Sequence, residues 1–196
     1  MQIHYLKQSS ENAIENKIFI ENKMFMEIRG TERMKNITKE EMNIKEFFEK
    51  YPNVAIALSG GVDSVFLVYM AKKYAKSVKA YFVKSVFQPE FEKKDAEKIC
   101  RQLGVDLKIL NVDVLSNKLV TDNPVNRCYY CKQGVFGTIL EAAKNDGMTV
   151  ILDGTNASDD ADDRPGMKAL QEMKVLSPLR MCGYVKSEIR KQSKEA

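Results

Sequence analysis

Apolar and polar positions change rhythm several times along this chain. Residues 54–58 form a short unbroken apolar run, and a pair of glycines ends it soon afterwards. A run of that length marks a strand buried on both faces, as in parallel sheets. From residue 64 to 74 the apolar residues return with helical spacing. Residues 78–83, 107–110 and 149–152 repeat the strand signal. Between them, Pro89 opens a predicted helix that runs to Leu103 and stops at Gly104, as glycine after a last turn commonly does. Residues 124–143 read as largely helical, ending near Gly147, and shorter helices are expected over 165–173 and 186–194. Upstream, Thr38 followed by Glu41 has the form of a capping box for a helix through Phe47, Phe48 and Tyr51.

Strands alternating with helices at this spacing predict βαβ units. The expected class is α/β, with a doubly wound parallel sheet covered on both faces. Ligands of such sheets bind beyond the carboxyl ends of the strands. Two glycine-bearing polar stretches fall there. Ser59-Gly60-Gly61-Val62-Asp63-Ser64 follows the first strand, and Asp153-Gly154-Thr155-Asn156 follows the fourth. Residues 1–38 differ from the rest, being rich in Asn, Glu, Lys and Met with only short apolar patches such as Ile18-Phe19-Ile20. They are expected to be a poorly ordered extension, leaving 39–196 as the folded domain, with Met34 a candidate start of translation.

Composition narrows the classes. Hydrophobic residues make up 44% and charged residues 30% of the 196 positions, which fits a globular domain with a sizeable core. No run approaches the roughly 20 apolar residues of a membrane helix, and no signal peptide is legible, so the expected location is the cytoplasm and no membrane partner is expected. The net charge is +4, but the lysines are spread along the chain. That argues for a solvated surface rather than a nucleic-acid face. His4 is the single histidine and lies far from every motif, which removes Ser-His-Asp and Cys-His catalysis and histidine-ligated zinc.

The first glycine-bearing stretch has the chemistry of an anion cradle. Two glycines let the backbone turn sharply and approach a ligand closely. The N–H groups of the loop and of the helix after it then point at an anion, with the helix dipole adding attraction. Ser59 and Ser64 add hydroxyl donors, and Asp63 is placed to cap the helix or to help hold Mg²⁺. The stretch is neither GxxxxGK[ST] nor GxGxxG. SGGVDS between a strand and a helix resembles the signature of the PP-loop, or N-type ATP pyrophosphatase, group, whose sheet is of the adenine nucleotide alpha hydrolase (HUP) type. That resemblance implies ATP held by its pyrophosphate end, with the α-phosphorus open to attack.

Further stretches carry a closer resemblance. Arg127-Cys128-Tyr129-Tyr130-Cys131-Lys132, Asp153 through Asp160 and Arg164-Pro165-Gly166, with Ser177-Pro178-Leu179 and Lys186-Ser187-Glu188-Ile189-Arg190, resemble the LarE family over about residues 45–192. The resemblance implies adenylation of a carboxylate on a pyridinium nucleotide with ATP and Mg²⁺, then sulfur insertion, in building the nickel-pincer nucleotide cofactor. It implies that Ser59, Gly60, Gly61, Val62, Asp63 and Ser64 grip pyrophosphate and that Asp153, Gly154, Thr155 and Asn156 lie near the same nucleotide. Asp160 is a second candidate for Mg²⁺, whose preference is for hard oxygens. Arg127 and Arg164 are candidates for a substrate phosphate or carboxylate, because a planar fork binds two oxygens at once; a structural ion pair is the other reading of Arg164.

Cys128 and Cys131 have CxxC spacing, half of a tetrahedral metal or iron–sulfur site. In LarE-like chains with a [4Fe–4S] cluster this pair joins a third cysteine in a stretch resembling ACxxSR, and this sequence stops at Ala196, before it. Cys182 reads as an incidental thiol and Cys100 as core packing. A small-molecule nucleotide substrate is therefore expected, with a homo-oligomer or a separate C-terminal partner chain as candidate assemblies. The competing readings are another PP-loop enzyme, either a tRNA thiolase or an amidating synthetase, and an ATP-binding fragment without turnover.

Overall fold

The computed structural model describes residues 42–86, 88–113, 127–159 and 165–195. The strands are β1 (Asn53–Ala57), β2 (Ser77–Lys84), β3 (Asp106–Asn111) and β4 (Val150–Leu152). The helices among these residues are α1 (Ile44–Lys50), α2 (Val62–Tyr74), α3 (Glu90–Leu103), α4 (Arg127–Asn145), α5 (Pro165–Glu172), α6 (Pro178–Met181) and α7 (Lys186–Glu195). The sheet runs β3-β2-β1-β4 and every pairing is parallel. A parallel bridge from Leu152 to Leu176 extends it by one position beyond β4.

Alternation along the strands explains why helices cover both faces. Val54, Ile56 and Leu58 join one core with Phe66 and Leu67 of α2, Cys100 of α3 and Ile189 of α7. Ala55, Tyr81 and Val83 point the other way, into a core with Phe136 and Ile139 of α4 and Leu170 of α5. Successive strand residues face opposite sides, so each layer recruits its own helices. The expected α/β sheet covered on both faces is what the chain forms.

Two local details differ from expectation. Thr38 and Glu41 lie outside the described residues, as do residues 1–38 and Pro124. The helix carrying Phe47 and Phe48 instead starts behind Asn43, whose side chain accepts from Lys45 and Glu46 at 3.0 Å each while Glu46 bonds back to the Asn43 N–H at 2.9 Å. Asparagine serves as well as threonine in that role, because either offers a short side-chain oxygen. Residues 178–181, for which the sequence pattern predicts no element, form the one-turn helix α6 behind Ser177, with proline at its start.

The amino-terminal rim of the sheet is tied by an ionic knot. Asp146, just after α4, accepts from the Tyr81 hydroxyl at 2.8 Å and pairs with Lys79 at 3.0 Å and Lys108 at 3.1 Å. Hydrogen bonding from Lys79, then from Tyr81 and Lys108, lowers its carboxyl to about 2. Burial, then the bond to Asp146, pushes the Tyr81 phenol well above its usual value.

Candidate functional site

The strand order reverses between β1 and β4, which is where open α/β sheets leave a crevice for ligands. β1 makes its last sheet bond at Leu58, whose N–H donates to the Tyr81 carbonyl at 2.9 Å. Gly60 then turns the chain at φ 82°, a conformation that a side chain resists. The Ser64 hydroxyl locks the turn. It donates to the Gly61 carbonyl at 2.9 Å, accepts from the Ser59 N–H at 3.2 Å and lies 3.1 Å from the Ser59 hydroxyl. Gly61 occupies the cap position of α2, and it supplies no side-chain cap. The N–H groups at the start of α2 therefore present the positive end of the helix dipole to the crevice, an arrangement suited to phosphate.

The second wall is the stretch after β4, which stacks on the first turn of α2. A Cβ at Gly154 would lie 2.8 Å from the Ser64 nitrogen and 2.9 Å from its Cα. Only glycine allows that approach. Asp153, 6% exposed, accepts from the Ser177 hydroxyl at 2.6 Å and from Thr155. Asn156 is fully buried; it donates to Asp63 Oδ2 at 3.2 Å and accepts from the Ser158 N–H at 2.8 Å. Arg180 braces the stretch from outside, its guanidinium donating to the Asp159 carbonyl at 2.9 Å.

Asp63 is the junction of the two walls. Its Oδ2 meets Asn156 and, at 3.4 Å, the Lys186 ammonium of α7. Its Oδ1 is buried with no hydrogen-bond partner. An orphaned buried carboxylate oxygen is a hard donor for a small divalent cation, so the residues present fit Mg²⁺ at this position.

The walls enclose a cavity of about 310 Å³. Ser59, Asp63, Ser64, Asp153 and Thr155 form its polar side; Phe82, Val83, Phe136 and Ile139 form its apolar side. A larger hollow of about 480 Å³ lies between α1, α2 and α7, walled by residues such as Tyr69, Tyr74 and Tyr184. None of the sequence-derived site residues lines it, so its size carries no functional weight.

The structure thus gathers Ser59, Gly61, Asp63, Ser64, Asp153, Gly154 and Thr155 on one cavity, with Gly60, Val62 and Asn156 immediately behind them. Arg127 begins α4, and the wall that α4 contributes starts further along, at Lys132. Asp160 and Arg164 lie outside the described residues. Cys128 is exposed and Cys131 half-buried in the first turns of α4. Among the described residues no group of three or more His, Cys, Asp or Glu side chains comes together to hold a metal. A cluster held by cysteine thiolates needs more than one pair, so the described residues do not fit the [4Fe–4S] group. Cys182 packs against the core, where burial, then Glu46, pushes its thiol up to about 11. Cys100 is buried, and burial raises it likewise to about 11.

Two cations stand in stretches quoted from the sequence but were given no role there. Lys132 lines the cavity, and its side chain lies so close to Gly166 that a Cβ there would sit 3.1 Å from its Cδ and Cε. Lys186 reaches Asp63. A signal for Lys186 was available: a lysine opening a predicted helix opposes the dipole. Lys132 closes the stretch Arg127–Lys132 that carries the family resemblance, but its spacing there pointed to no role.

Comparison with known proteins places these features in context. The family model described as the PP-loop domain matches residues 31–164. An uncharacterized protein of Synechocystis sp. is 33% identical over 77% of this chain and 57% of its own length. The pyridinium-3,5-bisthiocarboxylic acid mononucleotide synthase of Lactiplantibacillus plantarum is 29% identical over 72% of this chain and 52% of its own. The chain therefore spans little more than half the length of these curated relatives. Among solved structures, the NH3-dependent NAD synthetase of Campylobacter jejuni superposes with a TM-score of 0.58 at 16% identity, covering 78% of this chain and 69% of that one; that likeness is one of fold. Among the described residues no helix is long and apolar enough to cross a membrane.

Proposed function

The chain belongs to the PP-loop domain family, and from that premise we propose that it holds ATP by its pyrophosphate end and adenylates a substrate carboxylate. The observation that carries this reading is the uncapped start of α2 beside the Ser59 and Ser64 hydroxyls, opening on the cavity at the point where the strand order reverses. In the proposed step a carboxylate oxygen attacks the α-phosphorus. A new P–O bond forms, the bond to the bridging oxygen breaks, and its electron pair leaves with pyrophosphate. The nucleophile is already ionised, so no general base is called for. Charge builds on the departing pyrophosphate, where the loop N–H groups stabilise it without reorganising, while the Ser64 hydroxyl holds the turn through the Gly61 carbonyl and the Ser59 hydroxyl turns from Ser64 to donate.

Asp63, joined by Asp160, is the proposed holder of Mg²⁺, which when bound supplies neutralisation of the phosphate charge. Lys132 adds a cation on the cavity wall. Arg127 and Arg164 are proposed for the substrate's phosphate or carboxylate. The likeness to the Lactiplantibacillus synthase supports a pyridinium dicarboxylate nucleotide as substrate, and adenylation as the first step of LarE-like sulfur insertion.

The test is incubation of the purified chain with Mg-ATP and that nucleotide, following pyrophosphate and product mass. Pyrophosphate release that depends on the nucleotide is expected. Release only with tRNA or with ammonia and an acid would move the chain to another branch of the family. Bound ATP with no release under any of these conditions would reduce it to a binding protein.

A further inference from the structure

Lys186 stands against a local rule. It is the first residue of α7, where the helix dipole favours an anion and disfavours a cation. Such violations tend to persist where function requires them. The backbone of Lys186 is anchored, since its N–H donates to the Ser158 hydroxyl at 3.0 Å while the Ser158 N–H donates to Asn156 at 2.8 Å. From that anchor the side chain reaches Asp63 Oδ2 at 3.4 Å. Asp63 is thus held by Asn156 on one side and by a cation on the other, with its remaining oxygen buried and unpaired.

We propose that Lys186 is the resident counter-cation of Asp63: in the nucleotide-free protein it neutralises the carboxylate and keeps a free divalent cation off it, so that the metal enters only with the triphosphate. This inference rests on the adenylation reading, in which Asp63 serves the metal. The physical basis is charge. A lone carboxylate at a helix start with a buried open oxygen would attract any hard cation. An ammonium at 3.4 Å, on a side chain that is 45% exposed against 19% for Asp63, removes most of that attraction while leaving the carboxylate oriented. A triphosphate brings enough negative charge to reverse the balance, because its oxygens supply the ligands that the protein alone withholds. Lys186 is accordingly a positioning residue and acts through Asp63.

The experiment is a titration of the whole chain with Mn²⁺ alone, followed by electron paramagnetic resonance, without and with ATP. Wild type and Lys186→Arg should bind Mn²⁺ weakly without nucleotide. Lys186→Met keeps the stem and loses the charge, and it should bind nucleotide-free Mn²⁺ roughly tenfold more tightly, the scale expected from removing a unit charge at this distance near the surface. Adding Asp63→Asn to Lys186→Met should erase the gain. The half-exposed position predicts an unchanged melting midpoint for Lys186→Met. If Lys186→Met binds Mn²⁺ no better than wild type, or if the gain survives Asp63→Asn, the inference is overturned. If wild type takes up no Mn²⁺ even with ATP, the adenylation reading falls and this inference falls with it. Uptake with ATP but no gain in Lys186→Met overturns the role of Lys186 alone.

Discussion

At Gly154 the tolerance of the site is smaller than one methyl group. The backbone after β4 lies against the backbone of Ser64, and a Cβ would stand 2.8 Å from the Ser64 nitrogen. Gly154→Ala must push the two walls apart, which overpacking data put at about 1–3 kcal/mol. ATP binding should suffer more than stability, since the displaced group belongs to the phosphate turn; isothermal titration beside a melting curve separates the two. Ser59→Ala and Asp63→Ala bear on the chemistry instead. Each should lower pyrophosphate release by about 100-fold or more with the circular dichroism spectrum unchanged, the range seen when a preorganised polar group is lost; undiminished turnover would remove the loop from the mechanism. Much of this residue-scale picture was legible in SGGVDS and DGTN, because glycines at strand ends announce close approach. The contact between Gly154 and Ser64 was not, since it joins residues ninety positions apart and no local spacing encodes it.

Helices and strands were easier to read than their ends. The alternation of short apolar runs with helical spacing marked all four strands, yet the cap of α1 fell on Asn43 rather than Thr38. Both carry the same type of side chain, and only the folded backbone decides which one closes the turn. Asn43→Ala should reduce stability by about 1 kcal/mol, with ATP affinity unchanged; a combined loss would tie α1 to the site. The short α6 went unread because four residues hold too little periodicity. The knot joining β2, β3 and the end of α4 makes an acid prediction. Asp146 has a folded pKa depressed from 3.8 to about 2. Its contribution is therefore present above pH 3.8 and is lost as pH falls toward 2. Asp146→Asn should be less stable than wild type at neutral pH and converge with it at the acid end; parallel curves across that window would contradict the assignment.

For the whole molecule, the order β3-β2-β1-β4 places both glycine-bearing stretches at one rim, and the sequence foretold this because both follow strands of a parallel sheet. The cavity's apolar side was beyond reach of the sequence, since Phe82 comes to it from a strand and Ile139 from a helix more than fifty positions later. Ligand binding at that rim should stabilise the whole fold. Mg-ATP at 100 times its dissociation constant adds about 2.7 kcal/mol, which for a domain of this size is a melting shift of about 5–10 °C. A shift that persists in Gly154→Ala would place the nucleotide elsewhere. The knot around Asp146, by contrast, fastens the amino-terminal rim, and of its members Tyr81 alone also lines the cavity. The exposed end of α4 at that rim gives the protein a side by which it can be held. A label or surface tether attached at exposed Lys144, two residues before Asp146, should leave nucleotide affinity untouched, so that immobilised molecules all present the same open face to solution.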